Sequence, residues 1–192
     1  YNGTGVFSAD RHSSTGYLVK KLISSLTSIP DNTSSISTYR YAFPVIRLAD
    51  IYLMYAEALN ESKSVPDEEV YQYIDYVRLR TGLKGVVESW SKFSTIPNKP
   101  ATKDGMREII HRERLNELAF EGPRFWDLRR WKKAEQYMNQ PIRGLNIYGE
   151  TPEEFFKVQN IFSLSFEKKD YLWPISQKDL LENKNLVQNP GW

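Results

Sequence analysis

Glu113 and Glu117 stand four residues apart in the run HRERLNELAFEGPRFWDLRRW, residues 111–131, so a helix would carry both carboxylates on one face. Two carboxylates can share general acid and base roles, as in glycoside hydrolysis, when they face each other across a cleft. A single helical stripe flanked by Leu and Phe makes a poor cleft. Just upstream, EIIH (108–111) supplies half of a di-iron carboxylate motif. That site needs a second Glu-x-x-His on another helix, and the other histidine, His12, falls in a loop-like stretch. No HExxH, G-x-S-x-G, phosphate-loop or dinucleotide fingerprint occurs. These residue types point to scaffolding, with no catalytic residue, metal or cofactor implied.

The helix that carries them sets their surroundings. At 100° per residue, Met106, Ile109, Ile110 and Phe120 fall within about 100° of arc. Glu113 and Glu117 lie inside that arc, with Glu121 and Arg114 at its edge, while Leu115, Leu118 and Ala119 occupy the other side. In the following helix Phe125, Leu128 and Trp131 step by three. A lone buried carboxylate costs several kcal/mol and survives only when paired. The expectation is a largely buried ion network joining Glu113, Glu117 and Glu121 to arginines such as Arg114, Arg124 and Arg129. Bidentate pairs would stitch together two helices that meet at Gly122-Pro123.

The rest of the chain must supply the neighbours. Residues 1–46 form a loop-rich lead-in, with "YLVKKLI" (17–23) a possible short strand and "PDNTSSIST" a loop. From Arg47 the pattern turns helical. Leu48, Ile51, Tyr52, Tyr55 and Leu59 share one face, with Asp50, Glu57 and Glu61 opposite. Pro66 and the acids 67–69 open a second helix with the stripe Val70, Tyr73, Ile74, Val77, and Thr81-Gly82 closes it. The span 47–80 is thus a helical hairpin of about 34 residues, the tetratricopeptide length. Residues 83–103 read as loop, and a second hairpin of similar length spans 104–138. Residues 140–170 read as irregular, "YLWPI" as a short extended segment, and Ser176 with Asp179 as the start of a last helix.

Composition narrows the class. The 192 residues are 40% hydrophobic and 14% aromatic, enough for a core in a chain of one domain's length. A net charge of +2 with no basic run gives no reason to expect nucleic acid. There is no cysteine, hence no disulfide or thiolate metal site. No apolar run approaches the ~20 residues of a membrane span, and no signal peptide is visible. The start at "YNGTGV", without Met, suggests a processed product or a fragment.

Several stretches resemble the SusD/RagB family, the surface lipoproteins that capture nutrients for outer-membrane transporters in Bacteroidota. "YRYAFPVIRLADIYLMYAEALNE" (39–61) resembles that family's Arg-Leu-Ala-[Asp/Glu]-x-Tyr-Leu-x-x-Ala-Glu-Ala helix, and "VRLRTGL" (77–83) the end of its partner helix. "IIHRERLNELAFEGPRFWDLRRW" resembles the signature Arg-x-Glu-Arg…Glu-x-x-x-Glu-Gly-x-Arg-x-x-Asp-Leu-x-Arg-Trp. "YLWPISQKDLLENKNLVQNPGW" resembles the closing segment, with Ser176 where proline is usual. Residues 39–192 carry the resemblance well, and "STGYLVKK" more weakly. Family members run to about three times this length, so the chain resembles the C-terminal segment of one.

The resemblance implies a mainly α fold of tetratricopeptide-like hairpins with long irregular loops. It divides the chain into the lead-in, 1–46, and a helical-hairpin C-terminal domain, 47–192. It implies non-catalytic binding of a glycan or peptide at the extracellular face of the outer membrane, with a glycan the leading expectation. The lipid anchor would sit in a portion absent from this chain. The implied partners are a glycan or other nutrient, a SusC-like TonB-dependent transporter and the N-terminal portion of the same protein. Sugar faces stack on flat rings, so loop aromatics are the candidate contacts: Tyr1, Phe7 and Trp90, with Arg11 as polar neighbour, and Asn2, His12, Phe93 and Tyr148 beside them. The alternative is a helical scaffold that docks a protein partner and holds no ligand in this segment.

Overall fold

The computed structural model describes residues 13–28, 36–40 and 42–192, and its chain falls into two compact units. One comprises residues 21–124; the other joins the described residues up to 20 with 125–192. The partition therefore does not fall at Arg47, where the helical pattern begins.

In the first unit, α1 (Leu48–Ser62), α2 (Glu68–Arg80) and α4 (Lys103–Glu117) pack together with the shorter α3 (Val86–Phe93). Their core joins Leu53 and Ala56 of α1, Val70, Ile74 and Val77 of α2, Val86 of α3, and Met106, Ile109 and Ile110 of α4. Full burial of such side chains contributes about 1.5–3 kcal/mol each. Asp67 caps α2 by accepting from Val70 N at 3.3 Å, so Pro66 precedes the cap instead of lying in the first turn. Leu83 N donates to Arg78 O and Gly82 N to Leu79 O, a Schellman ending in which Gly82 takes the left-handed φ of +78°.

Two expectations fail here. The buried side of α1 is Ala49, Leu53, Ala56, Glu57 and Asn60, whereas Leu48, Ile51 and Tyr55 of the expected apolar stripe are exposed. The helix is apolar on both sides, and small residues allow close approach of α2 and α4 on the side that packs. Residues 83–103 are not loop throughout, because α3 lies within them, followed by a 3-10 turn at Lys99–Ala101. The cap of α3 is remote: Val86 N donates to Asp75 Oδ1 of α2 at 2.7 Å, so no local capping residue marks the start.

The second unit holds most of α5 (Pro123–Arg130), then α6 (Ala134–Met138), α7 (Pro152–Phe155), α8 (Gln177–Glu182) and an antiparallel pair, β1 (Pro141–Leu145) with β2 (Val158–Ser163). This pair replaces the irregular stretch expected over 140–170. The span 104–138 is three helices and not a two-helix repeat, because Phe120 and Lys132 adopt left-handed φ values of +65° and +56°. Helix α4 consequently ends at Glu117, and Phe120 is exposed. The "YLVKKLI" stretch is no strand either: it turns at Lys21-Leu22, where Leu22 has φ +66°.

Two side-chain amides act as clamps in this unit. Asn139 donates Nδ2 to Phe166 O at 2.9 Å and accepts from Phe166 N at 2.7 Å. Gln188 treats Ile175 the same way, at 2.9 Å in each direction. Of the expected "YLWPI" segment, Tyr171 ends a 3-10 turn (Lys168–Tyr171) and the rest is held by side-chain bonds in place of a strand partner. Ser176 caps α8 by accepting from Asp179 N at 3.3 Å.

Candidate functional site

Arg47, the residue that precedes α1, is the hub of the ion network. Its Nε and Nη2 fork onto the two carboxylate oxygens of Glu121 at 2.7 and 2.9 Å. Nη1 reaches Glu117 Oε1 at 2.7 Å and Nη2 the Glu117 carbonyl at 3.0 Å. Lys21 pairs with Glu121 and donates to that same carbonyl at 2.6 Å. Two cations thus meet the negative end of the α4 dipole. Arg80, in the last turn of α2, donates to both Glu117 oxygens at 2.9 Å. One turn earlier Glu113 takes Arg78, and Arg114, with a side chain only 3% exposed, reaches Asp50 of α1 at 2.9 Å.

The acids therefore draw cations from the start of α1, the end of α2 and, in Lys21, the segment before α1. Arg124 is half-buried in the first turn of α5, and Arg129 serves another cluster: its guanidinium lies 5.0 Å from the Phe125 ring, 5.4 Å from Trp173 and 5.6 Å from Phe166. Nothing local marked the true partners in advance. Arg78 and Arg80 sit in the last turn of α2, where cations are ordinary, and Arg47 stands before α1, outside any helical stripe.

Chemically the network is closed. Burial would raise the Glu121 carboxyl, but hydrogen bonds from Arg47 and Lys21 outweigh it and hold the group below the usual carboxylate range. The same bond to Glu121 raises the Arg47 guanidinium. A general acid needs the opposite, a carboxyl raised toward the working pH. Among the described residues no three His, Cys, Asp or Glu side chains gather to hold a metal ion.

Tyr52, Tyr55, Tyr73 and Tyr76 pack ring on ring between α1 and α2, with centroids 4.5–5.7 Å apart. Beside them lies a groove of about 230 Å³ lined by Leu48, Tyr52, Tyr76, Val77 and the arginines Arg47 and Arg80. Of the ligand candidates, Tyr1, Phe7 and Arg11, with Asn2 and His12, lie outside the described residues. Trp90 belongs to α3, packs half-buried on the core and has Lys99 Nζ 5.2 Å from its ring centre. Phe93 and Tyr148 are exposed.

A model of the SusD family matches residues 2–192. The chain belongs to the SusD family. SusD-like protein P2 of Formosa agariphila is 32% identical over 148 residues, which cover 77% of this chain and 25% of that protein. Among solved structures, BT4246 in its selenomethionine form superposes with a TM-score of 0.73 at 29% identity, covering 99% of this chain and 32% of that one. A SusD-like carbohydrate-binding protein from Bacteroides fragilis gives 0.52 at 28% identity, over 75% of this chain and 28% of its own. The chain spans about a quarter of the length of the curated relatives it matches. No described helix is long and apolar enough to cross a membrane.

Proposed function

We infer that the SusD-family protein containing this chain captures a glycan at the outer-membrane surface without transforming it. It hands that glycan to a SusC-like TonB-dependent transporter. The observation that carries this reading is the family match along residues 2–192, together with a structural relative described as carbohydrate-binding. The ion network supports the absence of chemistry, since the carboxylates whose spacing suggests an acid–base pair are occupied by guanidinium groups. The helical-hairpin part, residues 47–192, would serve as scaffold. Lipid anchoring and the remaining repeats would come from the N-terminal portion of the same protein. Tyr1, Phe7, Arg11 and Trp90 remain the proposed ligand contacts of this segment.

Calorimetry of the full polypeptide against a panel of neutral and acidic oligosaccharides tests the reading, with Trp90→Ala as a comparison. Saturable binding without turnover is expected. A folded protein that binds none of the panel defeats it.

One observation favours docking as a second role. Leu48, Ile51 and Met54 of α1 and Tyr76 and Leu79 of α2 are exposed along the hairpin. Such faces of tetratricopeptide-like repeats commonly dock protein. Loss of transporter co-purification in an Ile51→Glu/Leu79→Glu variant, with glycan affinity retained, is the outcome this role requires.

A further inference from the structure

The β1–β2 pair carries a cleft lined by Tyr148, one of the candidate loop aromatics, and not by Trp90. It encloses about 240 Å³ and is bordered by Ser14, Ile147, Tyr148, Gln159, Asn160 and Ile161. The bounding residues arise from a defect in the ladder. Arg143 pairs with Asn160 and Ile142 with Phe162, so Ile161 is an extra residue with no partner in β1. Along a regular strand successive side chains alternate between faces. The bulge breaks that alternation, and three consecutive residues, Gln159, Asn160 and Ile161, border one cleft.

The opposite wall is fixed by backbone. Leu145 N donates to Thr15 O at 2.9 Å, which draws residues 13–16 against β1. The approach depends on Gly144, where a Cβ would stand 2.6 Å from Thr15 Cα and 2.7 Å from Thr15 O. Tyr148 lies three residues beyond the end of β1 and is 59% exposed.

The chemistry of this wall is specific. It offers one phenol ring, two isoleucines, two carboxamides and the Ser14 hydroxyl, and no charged side chain. Among the described residues the amides of Gln159 and Asn160 and the Ser14 hydroxyl make no hydrogen bond with protein. Each carboxamide both donates and accepts, which matches a hydroxyl-rich ligand. The ring face suits the C–H face of a pyranose. An ionised ligand would lose hydration there without a counter-charge. The volume falls below the roughly 300–1,000 Å³ of sites for drug-sized molecules, which suits a single sugar ring.

We propose that this bulge-built cleft is a subsite for one neutral pyranose unit of the glycan, stacked on Tyr148 and hydrogen-bonded by Gln159 and Asn160. The proposal rests on the glycan-binding reading above and adds a place and a charge class.

The test is calorimetry of the full polypeptide with neutral oligosaccharides (glucan, mannan, galactan and xylan fragments) and acidic ones (uronate and sulfated fragments). The variants are Tyr148→Ala, Tyr148→Phe and Gln159→Ala/Asn160→Ala. Because Gln159 and Asn160 are exposed, the double variant should melt like the unsubstituted protein. A neutral fragment should bind. Tyr148→Ala and the double variant should each weaken it about tenfold or more, and Tyr148→Phe should bind nearly normally. Unchanged affinity in both weakening variants overturns the cleft while leaving glycan binding intact. Dependence on these residues for acidic fragments alone overturns the charge class. No binding by the unsubstituted protein overturns the underlying reading, and the subsite with it.

Discussion

The guanidinium of Arg47 meets Glu117 twice across seventy residues of chain, at the carboxylate (2.7 Å) and at the backbone carbonyl (3.0 Å). One side chain thus neutralises an acid of α4 and closes the exposed end of the same helix. The remaining guanidinium edge forks onto Glu121, so the turn after α4 and the entry to α1 are fastened at a single point. Lysine has no planar fork and could not make this set of bonds.

Glu117→Gln should therefore destabilise the chain. Glu117 is half-buried and serves Arg47 and Arg80 together, so removing its charge leaves a partly buried guanidinium underpaired. A loss of about 1–3 kcal/mol in denaturant melts is expected. A change under about 0.5 kcal/mol would mean that the group behaves as a surface acid.

The same network sets an acid limit. Glu121 has its carboxyl held below the ordinary value of 4.5 by Arg47 and Lys21, against the effect of burial. A depressed folded pKa contributes stability above the unfolded value and loses it as pH falls through the folded one. The contribution should be whole at neutral pH and drain away below about pH 4.5. Glu121→Gln should be less stable than the unsubstituted chain at pH 7, with the gap closing as pH falls toward 3. A gap that stays constant between pH 7 and pH 3 contradicts the assignment.

Asp75 predicts the opposite sign. Burial raises its carboxyl, although it accepts from Val86 N at 2.7 Å, and Arg78 offsets the effect only in part. Here the charge is the cost and the acceptor oxygen is the benefit. Asp75→Asn, which keeps the acceptor, should leave the melting temperature at pH 7 unchanged or raised. Asp75→Ala should lose the α3 cap, worth about 1 kcal/mol. Equal destabilisation by both substitutions would show that the charge itself is needed.

How much could be read in advance depended on whether a feature was local. Helix α2 was legible because its stripe of Val70, Ile74 and Val77, the acids after Pro66 and its Gly82 stop all lie within one short stretch, although the cap proved to be Asp67. Helix α3 was missed because its cap comes from Asp75, eleven positions back. For α1, periodicity found the helix but selected the wrong buried face. Ala49, Leu53 and Ala56 form a narrower stripe than Leu48, Ile51 and Tyr55, and only the close approach of α2 and α4 decides between them. The acids of α4 were read as paired because burial demands it. Their partners follow from tertiary placement, which places Arg47, Arg78 and Arg80 where Arg124 and Arg129 were expected. The cleft at β2 was invisible for a related reason: it depends on register, and Ile161 becomes a bulge only once β1 is beside it.

Asn139 offers a test of the second unit by itself. Its carboxamide takes both backbone groups of Phe166, a residue buried with Leu128 and Ala134. Aspartate would keep the acceptor for Phe166 N but set an anion against the Phe166 carbonyl, and alanine would leave both groups unsatisfied. Unmet buried backbone groups cost about 1–3 kcal/mol each. Asn139→Ala should thus lower stability by about 2 kcal/mol or more, and Asn139→Asp should do similar damage at pH 7 that lessens as the new carboxyl protonates in acid. Hydrogen exchange at the Phe166 amide should accelerate in Asn139→Ala while the amides of Ile74 and Ile110, in the other unit's core, keep their protection. Equal acceleration at all three sites would mean that the clamp governs global unfolding and not the local fastening of Phe166.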